Sequence, residues 1–426
     1  METAILLHWA EFAVRWLHVI TAIAWIGSSF YFIALDLGLH RDRNLASGAD
    51  GEEWQVHGGG FYHVQKYLVA PERLPEHLVW FKWESYWTWL SGFALLVLVY
   101  YLGGEIFLID PGVLDIPVWQ GVVISLVSLG LGWVVYTTLC RVFVEADQTV
   151  LMVALFGVIV AMAWFYAQVF TGRAALLHLG AFTATIMTGN VFFVIMPNQR
   201  IVVADLRAGR RPEAKYGKIA KQRSTHNNYL TLPVIFLMLS NHYPLAFASD
   251  WNWLIAALVF LMGVTIRHWF NQGHARKGRP WWTLPATAAV FAAIVWLSWP
   301  PAVAAEAEEA AEAAGAALLA PGAAVFAAAD GFDEVTDIVL GNCSMCHAAE
   351  PGWGSIVMPP KGVMLETPAQ VAQHARAIWM QAGVSHAMPP GVANYMDAEA
   401  RAAIRAWYEG AGSLVREGGG AAPPPP

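Results

Sequence analysis

Apolar stretches at roughly 12–35, 84–102, 117–139, 149–169, 174–197, 228–243, 251–270 and 281–299 recur along the first 300 residues. A hydrocarbon core about 30 Å thick is crossed by a helix of about 20 residues, so these stretches read as eight spans. Backbone in lipid must satisfy its own hydrogen bonds, which confines such a chain to a helical bundle. The sixth stretch is the weakest, being short and carrying Pro233. Composition agrees: of 426 residues 57% are hydrophobic and 13% charged, with 21 Trp, unlike a soluble domain of ordinary make-up. Nothing in it supports a nucleic-acid partner.

Lys and Arg in the loops give an orientation, because short loops rich in them stay cytoplasmic. Residues 36–83, the Arg141 loop, 198–227 and 267–280 together hold eighteen, against Arg173 alone in the loops between. Both termini are therefore expected outside the cytoplasm, with the tail in the periplasm or its equivalent. The first apolar run reaches spanning length without a small-residue cleavage site, which predicts a retained span rather than a cleaved signal.

The chain divides into a membrane domain (1–300), an Ala/Glu/Gly-rich linker (301–325), a domain of ordinary polarity (326–416) and a Gly/Pro tail (417–426) predicted to be disordered. About 90 residues make a small core unless a cofactor fills it. The sequence Cys343-Ser344-Met345-Cys346-His347 supplies one: two thiols a helical turn apart reach the vinyl groups of one heme, and the next imidazole becomes an axial ligand. A redox or zinc reading would need a thioredoxin-like strand or two further ligands, and neither is present. Cys140 lies alone in an apolar stretch, so no disulfide framework is expected. For the second axial ligand the sequence offers Met388, followed by two prolines and an amphipathic helix ending near Gly410. Its surroundings resemble small bacterial class I cytochromes c. Met358 is the rival but lies only eleven residues past His347, a short path around the heme edge. His374 and His386 read as surface residues.

Ionisable groups inside spans are costly and are functional candidates. His18, His178 and His242 fall toward the outer leaflet, where they could ligate a second heme, of b type, or line a redox pocket. His226, Asn227, Arg267 and His268 fall toward the cytoplasmic side, with donors beside aromatic planes suited to a flat polar heterocycle. Interfacial anchoring is the plainer reading of each such residue taken singly. From these residues alone, an electron-transfer cytochrome without substrate chemistry remains open. A transporter gated by a cytochrome would call for an internal repeat, and none is visible.

Taken together, RWLHVITAIAWIGSSFYFIALD, WFKWESYWTWLSGFALL, MPNQR, STHNNYLTLPVIFLMLSNHYP, RHWFNQGH, CSMCH and HAMPPGVANYM resemble the bacterial membrane-bound urate oxidases. In that family an N-terminal membrane domain of eight spans is fused to a periplasmic cytochrome c. The resemblance implies an all-α fold and oxidation of urate to 5-hydroxyisourate. Electrons would pass through the covalent heme c to a respiratory cytochrome c oxidase or a soluble cytochrome, without peroxide. Cys343, Cys346, His347 and Met388 match motif positions; the membrane residues rest on chemistry alone.

Overall fold

The computed structural model describes residues 2–41, 45–67, 74–143, 148–298, 321–352, 359–384, 387–389 and 396–417. The membrane domain is built from α1 (Glu2–Gly38), α2 (Trp83–Leu95), α3 (Val118–Val142), α4 (Gln148–Ala167), α5 (Gly172–Gly189), α6 (Met196–Arg207), α7 (Ala214–Leu239), α8 (Asn252–His274) and α9 (Thr283–Leu297). Two of these helices run on through a wide π-type turn: α2 into Leu96–Tyr101, and α5 through Asn190–Ile195 into α6. Such turns slip the register of the side chains beyond them and often mark functional sites.

Among the described residues, five helical segments are long and apolar enough to cross a membrane: Trp9–Gly38, Val118–Val142, Gln148–Ala167, Gly172–Arg207 and Asn252–His274. They coincide with the first, third, fourth, fifth and seventh expected stretches. The sixth lies on α7, whose first turns carry a polar run from Lys215 to Asn228, and the eighth on α9, only 15 residues long. The second lies on α2, shared between its helical and π-type parts.

The bundle packs as a membrane protein does. Leu151, Leu155, Tyr166, Phe170, Phe182 and Phe260 fill the centre between α3, α4, α5 and α8. Val123, Val127, Leu131, Val153 and Trp164 face outward, an apolar exterior compatible with a lipid surround. Polar residues instead turn inward: Asn190 and Asn228 are wholly buried.

An all-α fold was expected, and a β-hairpin between α1 and α2 corrects it. Strands β1 (Ala49–His57) and β2 (Gly60–Tyr67) pair antiparallel, with Trp54 opposite His63 and His57 opposite Gly60. The turn needs positive φ at both central positions, and Gly58 (57°) and Gly59 (81°) supply it. The run of glycines between alternating residues was the sequence signal. Lys66 on β2 and Lys221 on α7 both pair with Asp36 near the end of α1, the latter at 2.8 Å, and so tie the hairpin to the bundle.

The tail domain comprises α10 (Pro321–Ala327), α11 (Phe332–Cys343), α12 (Pro368–Gln373), α13 (Ala375–Ile378) and α14 (Ala398–Glu417). Helix α10 straddles the expected boundary between linker and tail domain; its Phe326 stacks on Tyr408 at 5.1 Å and accepts Trp407 Nε1 at 2.9 Å through its carbonyl. Trp379 covers the other face of Tyr408 at 4.7 Å. A side-chain and backbone capping box, Thr367 with Gln370, starts α12.

Candidate functional site

Helix α7 is the hub of a buried polar network. Successive residues on a helix diverge by about 100°, so His226, Asn227 and Asn228 address three different neighbours. His226 Nδ1 meets Tyr136 Oη of α3 at 2.8 Å. Asn227 accepts Asn190 Nδ2 at 2.9 Å and donates to the Met187 carbonyl at 2.9 Å, both on the α5 side. Asn228 Oδ1 receives Arg267 Nε at 3.2 Å and Asn271 Nδ2 at 3.0 Å from α8.

Arg267 also donates to Asn271 Oδ1 at 2.9 Å and lies 4.1 Å over the Phe30 ring of α1. Arg223, one turn before His226, sits 4.8 Å over the Tyr136 ring. Two buried donors, Arg223 Nε and Asn228 Nδ2, have no partner among the described residues. Unpaired buried donors are costly, and they suit a ligand rich in acceptors.

Beside this network a cleft of about 140 Å³ opens between the ends of α1, α7 and α8. Asp36, Lys221, Tyr229, Asn271, Gln272 and Lys277 line it. A cavity of about 150 Å³ holds one benzene-sized ring, so the cleft is on the scale of a small heterocycle. Asn271 belongs to both cleft and network. Tyr229 Oη bonds His268 Nδ1 at 3.2 Å. Of the four membrane residues expected to bind or act, Arg267 and His268 thus lie one contact from the cleft, while His226 and Asn227 lie deeper. Tyr136, Asn190 and Arg223, which complete the network, were not singled out from sequence.

The group expected toward the outer leaflet, His18, His178 and His242, is separate. His178 and Asn190 share one helical run, and twelve residues at 1.5 Å each set them ~18 Å apart. Thr171 caps that run, accepting Ala174 N at 3.1 Å and donating to the Phe107 carbonyl at 2.8 Å. His178 is wholly buried, its Nδ1 donating to the Ala174 carbonyl at 2.8 Å. Phe170 and Tyr100 crowd its ring, with centroids 4.5 and 5.9 Å away. Its Nε2 and the Tyr100 hydroxyl lack partners among the described residues. His18 likewise bonds the Thr88 carbonyl through Nδ1, at 3.0 Å. A histidine held so keeps Nε2 bare, as a metal ligand requires. His242 differs: it lies exposed, just past the end of α7.

In the tail, Cys343 ends α11 and its carbonyl accepts the backbone N–H of Cys346 at 3.1 Å and of His347 at 2.9 Å. Both thiols are free. Burial, then the neighbouring Cys346, pushes the Cys343 thiol up to about 11, the opposite of an activated redox pair. His347 Nδ1 donates to the Val363 carbonyl at 2.8 Å, leaving Nε2 available to iron. Met388 is fixed through its backbone, its N–H donating to Gln381 O and its carbonyl accepting Arg401 Nη1, both at 3.0 Å. The donor set fits a c-type heme. Met358 and His386 lie outside the described residues. His374 is half-buried rather than solvated, and burial, then His347, lowers its pKa to about 4.

No curated protein and no solved structure matches this chain. The family model described as urate oxidase N-terminal matches residues 4–298, the whole helical bundle with its cleft and both groups of polar residues. The chain belongs to the urate oxidase N-terminal family.

Proposed function

We propose that the protein oxidises urate to 5-hydroxyisourate in the cytoplasmic-side cleft and delivers the electrons, through a heme c on its tail, to a respiratory cytochrome c oxidase or a soluble cytochrome. The observation that carries this reading is the cleft itself: a heterocycle-sized space, in a urate oxidase family chain, edged by Lys221, Lys277 and the amide of Asn271. Urate is planar and anionic and presents several carbonyl acceptors, which cations and amide donors match.

The reaction adds the oxygen of water to C5 of urate and releases two protons and two electrons. The Arg267 guanidinium, held by Asn228 and Asn271, keeps Asn271 rigid at the cleft wall. Tyr229, which lines the cleft, and His268 behind it offer a proton path from substrate through the hydroxyl to Nδ1. Heme c, bound by Cys343 and Cys346 and ligated by His347 and Met388, would accept the two electrons one at a time. His178 and His18 would hold a second heme, of b type, which would supply a one-electron carrier within the outer tier.

Eight spans, with α2, α7 and α9 joining the five apolar helices, set both termini and the tail in the periplasm, on the loop charges given above. Heme attachment belongs to that compartment.

The purified chain, titrated with urate under anaerobic conditions, is expected to show reduction of its heme c band. No reduction at any urate concentration would leave an electron-transfer cytochrome without urate chemistry. Acid–acetone extraction of the same preparation is expected to release one non-covalent heme while the covalent heme stays. A colourless extract would remove the second heme.

A further inference from the structure

We propose that the loop 359–363 of the tail is its docking contact on the outer face of the membrane domain, and that electrons enter the tail's heme there, from its His347 side. The proposal rests on the heme c reading above.

Gly362 lies directly against Phe247: a Cβ at Gly362 would come 2.8 Å from the ring's Cε2 and 3.1 Å from its Cζ. With φ at 69°, the loop takes a conformation that glycine alone adopts freely, and the same residue type leaves room for the ring. Phe247 is no loose surface residue. It is buried in the bundle core, and its carbonyl accepts Asn252 Nδ2 at 3.2 Å at the start of α8. That carbonyl also abuts Gly172, the first residue of α5.

Lys361 sits in the same contact. Burial, then the charges of Arg173 and Arg15, lower its pKa while Glu11 opposes them, so the charges of α1 and α5 reach this loop. Loop charges, counted independently, put the 244–250 loop and the tail on the same side of the membrane.

The other face of this loop holds the imidazole. Val363 accepts His347 Nδ1 at 2.8 Å, and Leu365 N–H donates to the His347 carbonyl at 2.7 Å. From His347 to Phe247 the path is therefore one hydrogen bond, two residues of chain and one van der Waals contact. From the start of α5, His178 lies six residues on, about 9 Å along the helix axis. A domain that swung freely on its linker would lose this short route; docked, it has one.

The test uses the full chain with a protease site inserted in the linker and heme attached. After cleavage, the tail is expected to co-elute with the membrane domain on gel filtration. Gly362→Trp should release it and, in the uncut chain, slow urate-driven heme c reduction at least tenfold. The heme spectrum and reduction by ascorbate should stay unchanged. Phe247→Ala, which leaves the tail sequence intact, should release the tail as well. Co-elution unaffected by both variants, or a tail that never co-elutes, overturns the proposal. Failure of urate to reduce heme while the tail still co-elutes, and is released by both variants, sinks only the urate reading.

Discussion

Tyr136 Oη and His226 Nδ1 lie 2.8 Å apart between α3 and α7, and Asn190 Nδ2 donates to the same hydroxyl at 2.9 Å. Since the amide already donates, the phenol proton goes to His226, whose Nδ1 must then be the acceptor. The imidazole proton is left on Nε2. His226 thus acts as a hydrogen-bond acceptor in this network, and the proton path proposed above runs instead through Tyr229 and His268.

Tyr136→Phe removes the shared hydroxyl and frees the tautomer. A hydrogen bond inside a membrane protein contributes about 0.6–2 kcal/mol, and here two partners lose one. The variant is expected to unfold at a lower temperature, read by differential scanning fluorimetry in detergent, and to reduce its heme more slowly with urate. An unchanged melting temperature would show that the hydroxyl holds nothing.

Arg267→Lys keeps the charge and loses the fork. The guanidinium reaches Asn228 and Asn271 through different nitrogens while lying over Phe30; an ammonium has no plane to do this. Urate-driven reduction is expected to fall at least tenfold, with retention on gel filtration unchanged. Wild-type rates in the lysine variant would place the arginine outside the working site.

Asp36 pairs with lysines from two elements, so Asp36→Asn should loosen the hairpin rather than unfold the bundle. Both lysine side chains are partly exposed, at 30% and 53%, which keeps the loss near 1 kcal/mol. Limited trypsin digestion should cut faster within residues 45–67. Equal digestion rates would mean that the strands hold without the pairs.

What the sequence made legible follows sequence distance. Cys343, Cys346 and His347 stand side by side, and no fold is needed to see them together. His226, Asn227 and Asn228 stood out as a polar run in an apolar stretch, yet their partners did not. Tyr136 and Asn190 are 90 and 37 residues away from theirs and look like ordinary residues of membrane helices. Asp36 was passed over and Lys66 and Lys221 were counted as loop charges, because only the folded hairpin makes them neighbours. The π-type turns that carry Tyr100 and Asn190 into the two tiers leave no mark in hydropathy.

The sixth heme ligand gives the sharpest spectroscopic test. Met388 follows Gln381 and precedes α14, and Arg401 of α14 grips its carbonyl at 3.0 Å. Its backbone is thus anchored on both sides while the residue as a whole stays 37% exposed. Thioether ligation raises the reduction potential. Met388→Ala is expected to abolish the absorbance of thioether-ligated ferric heme and to lower the midpoint potential. Heme should remain covalently attached, since Cys343 and Cys346 are untouched. Urate reduction of the variant should be less complete at equilibrium, because the acceptor has become a weaker oxidant. An unchanged spectrum would pass the role to Met358 or to a histidine.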